Sequence, residues 1–362
     1  MSRVLFLDPV CPSPYEARTV YTRAVGETES AVVRVAEGLA QRGHRVTVAQ
    51  CGRMWPARSP GGVAYVPFDY DGGWGHLPRV DAVVVLRQHK VLPRVRRHYP
   101  GAKLALWVHR FPGSKRRALG AVAAAARATV VCVSDGHRAD LLDFLQAKAG
   151  DGPAWVPTAR VHLPVDDDAR ADGTAPDPDK LVHVAGPRGG LGEVLAAFAH
   201  VRERRPTARL FVIPTGGRAW AWPGVPAGVV PLGPLPHRAV VQHVREAFAL
   251  FHPQAGIEEP FGLVFAEANA VGTPVLAHPH PTVREVLDEH AHDRRQLVDA
   301  REPEAAARRL AEWWRDGRPA VAGQDRFRTS RVAGDWERVL DLTAAVRPPV
   351  RPVRTWAAAA TA

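Results

Sequence analysis

Residues 252–286 read HPQAGIEEPFGLVFAEANAVGTPVLAHPHPTVREV. Just before them, the apolar run 248–251 is short and stops at His252-Pro253, which predicts a buried strand. Residues 262–271 are rich in Leu, Phe, Ala and Glu and end at Gly272, which predicts a helix with a glycine stop. Residues 274–277, PVLA, predict the next strand. Strand, acidic loop, helix and strand together make half a site in a parallel α/β sheet, where ligands gather at the carboxyl ends of the strands.

The chemistry follows from that layout. The first amides of the helix, near Gly262, Leu263 and Val264, have no intrahelical partner. With the helix dipole they form an anion site suited to a phosphate or diphosphate. Gly262 has no side chain and lets a ligand come close to the backbone. Glu259 stands in the loop before the helix, and Glu267 lies inside it on the face of Leu263. A carboxylate repels a phosphate, so the fitting partners of the two acids are neutral hydroxyls, of ribose or of a sugar. A diphosphate flanked by two polyol-binding acids describes a nucleotide-sugar; the plain alternative is a surface helix with two solvated glutamates.

The motif EEPFGLVFAEANAVGTPVLA resembles the C-terminal signature of family 4 glycosyltransferases, retaining enzymes of the GT-B fold. Both glutamates, the Pro-Phe-Gly between them and the later Gly-x-Pro-Val fall in register. The resemblance implies that Glu259 contacts the donor sugar and Glu267 the ribose. It also implies that backbone amides of Phe261, Gly262 and Leu263 reach the sugar or phosphate. No metal and no cofactor beyond the nucleotide-sugar co-substrate are implied.

The chain's 362 residues suffice for two domains, and 46% hydrophobic with 23% charged residues is a globular composition. No run approaches the ~20 apolar residues of a membrane span. The N-terminal MSRVLFLDPVCPSP reads as a first strand rather than a signal peptide. Three scattered cysteines, Cys11, Cys51 and Cys132, imply neither a disulfide framework nor a metal cluster, and a reducing cytoplasm fits. The net charge of +11 suits nucleic acid, an anionic membrane or an anionic substrate alike. Abundant Arg, Ala and Pro point to a GC-rich coding bias, so the charge by itself selects none of these.

Along the chain, residues 3–7 predict the first strand, and a Pro-containing loop runs to Gly26. Thr28, Glu29 and Ser30 supply capping groups for a helix with apolar Val32, Val35, Ala36 and Leu39, stopped by Gly43. Residues 45–49 predict the second strand. This unit resembles the family's Gly-Gly-x-Glu start, whose loop lies beside the donor phosphates, but Glu27 replaces the second glycine. Only Gly26 is carried over as a donor contact. Residues 81–86 predict a further strand. The basic stretch 87–103 and Lys115-Arg116-Arg117 read either as a solvated helix face packed on the sheet or as a basic amphipathic face for a membrane. Residues 104–108 form a strand ending at His109, which resembles the family's cleft histidine and would order the sugar or the acceptor. Residues 129–133 continue the sheet, and a helix begins near Gly136.

The acidic stretch 166–180 reads as a linker, with Asp166-Asp167-Asp168 more like a hinge than a metal motif. Residues 181–185 open a second α/β unit, and Arg188 in the following loop resembles the family's diphosphate-binding cation. Leu235 resembles the nucleobase loop. Glu285 keeps one residue of the family's Gly-Gly-x-x-Glu, whose glycines are missing. Helices are expected over 303–314 and 326–345.

The expected architecture is therefore α/β, GT-B, two Rossmann-like domains with parallel sheets facing an interdomain cleft. The divisions are 1–166 as the acceptor-side domain, 167–180 as linker and 181–330 as the nucleotide-sugar-binding domain. A helix at 331–346 crosses back and 347–362 is a mobile tail. The expected reaction is retaining transfer of a sugar from a nucleoside-diphosphate sugar to an acceptor hydroxyl. His109, Glu259 and Arg188 would be catalytic, and Gly26, Arg188, Leu235, Glu259, Phe261, Gly262, Leu263 and Glu267 would bind the donor. The acceptor would be a small molecule or lipid-linked glycan in bacterial natural-product or cell-envelope biosynthesis. The enzyme would be cytoplasmic, with peripheral membrane contact left open and no nucleic acid partner. The competing readings are a nucleotide-sugar epimerase or hydrolase on the same fold, and a basic nucleic-acid or membrane binding protein.

Overall fold

A computed structural model describes residues 1–342 except 12, 70, 114–115, 149–155, 186–189, 216–223, 257–258 and 288–293. The 347–362 tail and Arg188 lie outside the described residues. The first half runs β1 (Arg3–Asp8), α1 (Ala17–Thr22), α2 (Glu27–Gln41), β2 (Arg45–Gln50), β3 (Ala57–Arg58), β4 (Ala64–Pro67) and β5 (Ala82–Leu86). It continues through α3 (Leu92–His98), β6 (Lys103–Trp107), α4 (Leu119–Ala125), β7 (Ala128–Cys132), α5 (Asp135–Lys148) and β8 (Thr158–Arg160). The second half runs β9 (Asp177–Ala185), α6 (Leu191–Arg204), β10 (Arg209–Pro214), β11 (Val229–Pro231), α7 (His237–Arg245) and β12 (Ala247–His252). It ends with α8 (Leu263–Ala270), β13 (Val275–Ala277), α9 (Pro281–Leu287), α10 (Pro303–Asp316) and α11 (Thr329–Val339).

Two sheets result, in the orders β3-β4-β2-β1-β5-β6-β7-β8 and β11-β10-β9-β12-β13. All pairings are parallel except β3 with β4. Both sheets are covered by helices on two faces, and this is why β5 reads AVVVL and β12 AFALFH with every residue buried. This is the GT-B arrangement expected from the sequence.

Helix α11 packs on the first half. Gly38 of α2 admits it closely, because a Cβ there would lie 3.1 Å from Ala333 and 3.2 Å from Thr329. Trp336 is fully buried, edge-on to Phe6 at 6.2 Å and to Trp107 at 4.8 Å. Two expectations need correction. Strand β9 begins at Asp177, four residues into the expected linker, because the Asp177 amide donates to the Glu246 carbonyl at 2.8 Å. Next, α11 is shorter than expected at both ends. The basic stretch packs its apolar side on the sheet, the first of its two readings. Val91, Leu92 and Val95 are buried in the sheet's core, and Arg96 donates to the carbonyls of Ala126 at 2.9 Å, Pro100 at 2.9 Å and Ala102 at 3.0 Å.

Among the described residues no helix is long and apolar enough to cross a membrane. Two acids of the triplet are tied down: Asp166 pairs with Arg34, and Asp167 accepts from Ser330 at 3.1 Å. Cys11 and Cys51 are free, but their sulfurs stand 4.0 Å apart, a proximity hidden by their spacing in sequence.

Candidate active site

The cleft between the halves is bordered by the carboxyl ends of the strands. Its centre is the start of α8. Gly262 is left-handed (φ 77°), and a Cβ there would fall 2.5 Å from the Phe265 ring, so only glycine lets the chain turn into the helix here. The Leu263 amide, freed by that turn, donates to Glu27 Oε1 of α2 at 3.2 Å. An acidic oxygen from the opposite half thus already sits on the helix N-terminus. Glu27 keeps an exposed surface, yet protein crowds its carboxyl from both sides. That crowding, and then the nearby charge of Glu259, raises its pKa.

The first turn of α2 is anchored from below. Asp8, fully buried at the end of β1, accepts from Tyr15 Oη at 2.9 Å and from Arg87 at 3.0 Å. Arg87 also pairs with Glu29 at 3.1 Å. Arg87 adopts a left-handed backbone (φ 61°), unusual for a residue with a Cβ. Gly26 caps α2 and lies under Glu29, whose carboxylate fills the space a Cβ would need.

Glu267 is 8% exposed. Its Oε1 accepts from His237 Nε2 at 2.7 Å and from Arg34 at 3.2 Å, and no partner among the described residues reaches Oε2. Arg34 also grips Asp166 at 2.8 Å, so an arginine of the first half binds two acids of the second half and its approach. Burial works to raise the Glu267 pKa, but His237 and Arg34 outweigh it and hold the carboxyl below its usual range.

Glu259, in the loop before α8, has a different setting. Its carbonyl accepts from Thr282 at 2.7 Å, while no hydrogen bond among the described residues reaches its carboxylate, whose pKa is raised by burial against the pull of Arg110. His109 follows β6 with its ring 4.5 Å from Trp107, and both ring nitrogens are buried with no partner among the described residues. Burial, then Arg87, His137 and Arg116, holds its pKa well below the usual imidazole range, so the ring is neutral. Leu235 sits half-buried in the loop before α7. The Phe261 side chain is 1% exposed and packs edge-on against Phe327 at 5.3 Å, so its backbone, the part expected to meet a ligand, is what it offers.

Glu285 caps a helix of the opposite half. It accepts the amides of Asp135 at 2.8 Å and Gly136 at 3.2 Å and a hydrogen bond from His162 Nε2 at 2.9 Å. The structure therefore gathers Gly26, Glu259, Gly262, Leu263 and Glu267 around one cleft, with His109 past the carboxyl end of β6. Sequence reasoning missed Glu27 as an α8 partner, together with Arg34, His237 and the buried Gln254. Only Glu27 carried a signal, as the bulky residue at an expected glycine.

Residues 180–328 match the family described as glycosyl transferases group 1. No curated protein sequence matches the chain significantly. Among solved structures, an α,α-trehalose-phosphate synthase (UDP-forming) from Burkholderia xenovorans, in complex with glucose-6-phosphate, is similar with TM-score 0.64 and 12% identity over 94% of this chain and 100% of that one. A sucrose-phosphate synthase from Thermosynechococcus elongatus gives TM-score 0.61 and 15% identity over 94% of each chain. AviGT4, a glycosyltransferase involved in avilamycin A biosynthesis, gives 0.57 and 18% over 95% and 99%. These identities speak for a shared GT-B fold. The group 1 domain makes the chain an enzyme of the glycosyltransferase class.

Proposed function

We propose that the chain transfers a sugar, with retention, from a nucleoside-diphosphate sugar to an acceptor hydroxyl. The observation that carries this is the Leu263 amide facing the cleft with an acidic oxygen already on it at 3.2 Å, between Glu259 and Glu267. A helix start that takes a carboxylate oxygen from across a cleft is built to take a phosphate oxygen. The free Oε2 of Glu267 would hold the ribose diol, and the unpartnered carboxylate of Glu259 would hold the sugar. Leu235 would border the base. Gly26 would border the diphosphate.

In the reaction, the bond from the anomeric carbon to the diphosphate breaks as the acceptor oxygen bonds to the same face. The acceptor proton passes to the departing phosphate oxygen. The protein's share is positioning and charge stabilisation. The α8 amides and Arg188, in the loop after β9, would meet the charge of the leaving group without a metal. Neutral His109 would order the sugar or acceptor through a free ring nitrogen. A uridine nucleotide is favoured by the UDP-forming neighbour, and a small acceptor in a specialised biosynthesis by the company of AviGT4 and the sugar-phosphate synthases. The site would work in the cytoplasm.

Thermal-shift screening against UDP-, GDP-, dTDP- and ADP-sugars, followed by transfer assays with sugar and sugar-phosphate acceptors, tests this. One nucleotide class should stabilise the protein. Turnover of the donor without any acceptor would instead indicate an epimerase or hydrolase.

A further inference from the structure

At the carboxyl ends of β12 and β13, several buried polar atoms bond nothing among the described residues. His252 is 3% exposed and both its ring nitrogens lack a partner; Gln254 is 2% exposed and both its amide oxygen and nitrogen lack one. His280 Nε2 is buried and unpartnered as well. These three side chains and Glu259 line one crevice, backed by Phe265, whose ring lies 4.9 Å from His252. Each such atom left dry costs about 1–3 kcal/mol, so a crevice of them is made to be filled.

The backbone is arranged to hold Gln254 there. Gly190, in the left-handed region (φ 66°), stands against it, and a Cβ at that position would lie 2.6 Å from Gln254 Oε1. Glu193 accepts the next amides, Ala255 at 2.6 Å and Gly256 at 3.2 Å, and so fixes the loop that carries the glutamine. The pocket's charge narrows the ligand. Burial, then the neighbouring His183, keeps the His252 pKa well below its usual range, so the ring is uncharged. Among the described residues that line the crevice there is no lysine or arginine, and there is Glu259. A phosphate is therefore disfavoured, whereas a hydroxyl, which both donates and accepts, suits an imidazole, an amide and a carboxylate together.

We infer that Gln254 and His280, beside Glu259, grip ring hydroxyls of the transferred sugar and thereby set which sugar the enzyme accepts. This rests on the donor reading above. A site built to bond a hydroxyl discriminates strongly against a donor lacking it or presenting it in the other configuration, because its own polar atoms are then stranded.

The test is calorimetric titration of wild type, Gln254→Leu and His280→Leu with UDP, GDP, UDP-glucose, UDP-galactose and GDP-mannose. Wild type should bind one nucleotide-sugar more tightly than its bare nucleoside diphosphate. Each variant should weaken that sugar about tenfold, toward the bare diphosphate, as expected for one lost hydrogen bond. Binding of the bare diphosphate should stay within about twofold, which also shows that the variants are folded. Gln254→Asn and His280→Gln should restore part of the preference. If the leucine variants keep the full preference for the sugar, the crevice holds ordered water only and the inference fails. It fails also if bare diphosphate and nucleotide-sugar weaken equally, because the residues then shape the phosphate loop. Wild type that binds none of these nucleotides would sink the donor reading itself.

Discussion

Replacing Glu27 by Gln should make the enzyme bind a nucleoside diphosphate more tightly. The Glu27 carboxyl holds the Leu263 amide at 3.2 Å, the same donor a phosphate oxygen would need. A hydrogen bond to a charged group contributes about 1.5–3 kcal/mol. Glu27 is exposed, so the lower end applies, and about 1.5 kcal/mol corresponds to roughly a tenfold change in Kd. Repulsion between Glu27, Glu259 and the incoming diphosphate acts in the same direction. Titration calorimetry with UDP on wild type and Glu27→Gln reads the difference directly. The pH dependence supplies a second reading. Because burial pushes the Glu27 pKa up to about 8, the group takes up a proton as pH falls through that value and is largely uncharged at neutral pH. Wild-type affinity should therefore rise toward acid relative to Glu27→Gln, and the two curves should converge once Glu27 is protonated. Equal or weaker binding by the variant above pH 8, where Glu27 is ionised, would refute the reasoning, since Glu27 would then be helping the nucleotide rather than competing with it.

Four other outcomes are expected. Glu267→Ala should weaken nucleotide binding in titrations, whereas Glu259→Ala should mainly slow transfer; the reverse pattern in steady-state kinetics would overturn the role assignment. Arg34→Met strands Asp166 and Glu267 as neighbouring uncompensated acids, and urea unfolding should show a loss of about 3–5 kcal/mol. His109→Asn should lower kcat about a hundredfold, and because the wild-type ring is neutral, its pH–rate profile should lack an acid limb near 6.5. His183 titrates near 4 in the fold through burial, against 6.5 unfolded, so the unfolded chain binds more protons between those values. Stability should then fall as pH drops from 6.5 toward 4, at up to about 1.4 kcal/mol per pH unit from this group, and His183→Asn should flatten that slope in thermal melts.

The fold was legible because its signals are local. Buried parallel strands write themselves as short apolar runs such as 248–251, and Gly43 and Gly272 end helices where the next strand must begin. The acids of α8 were legible because their spacing and the Gly262 turn belong to one segment. What escaped notice depends on contacts between distant segments. Nothing near Glu27 in sequence announces that it reaches an amide 236 residues later. The Arg34, His237 and Glu267 cluster draws on three helices in two halves. Phe261 reads as a ligand neighbour in its motif, yet its ring belongs to the core with Phe327. Residues 177–180 look like linker by composition, but pairing with an already buried sheet overrides weak local preference.

The most direct test of the account is a crystal structure of the enzyme with the nucleoside-diphosphate sugar that the thermal screen selects. The account predicts a phosphate oxygen on the Leu263 amide with the Glu27 carboxylate displaced, ribose hydroxyls on Glu267, and the sugar between Glu259 and Gln254. A nucleotide bound away from the start of α8, with Glu27 still on Leu263, would contradict it.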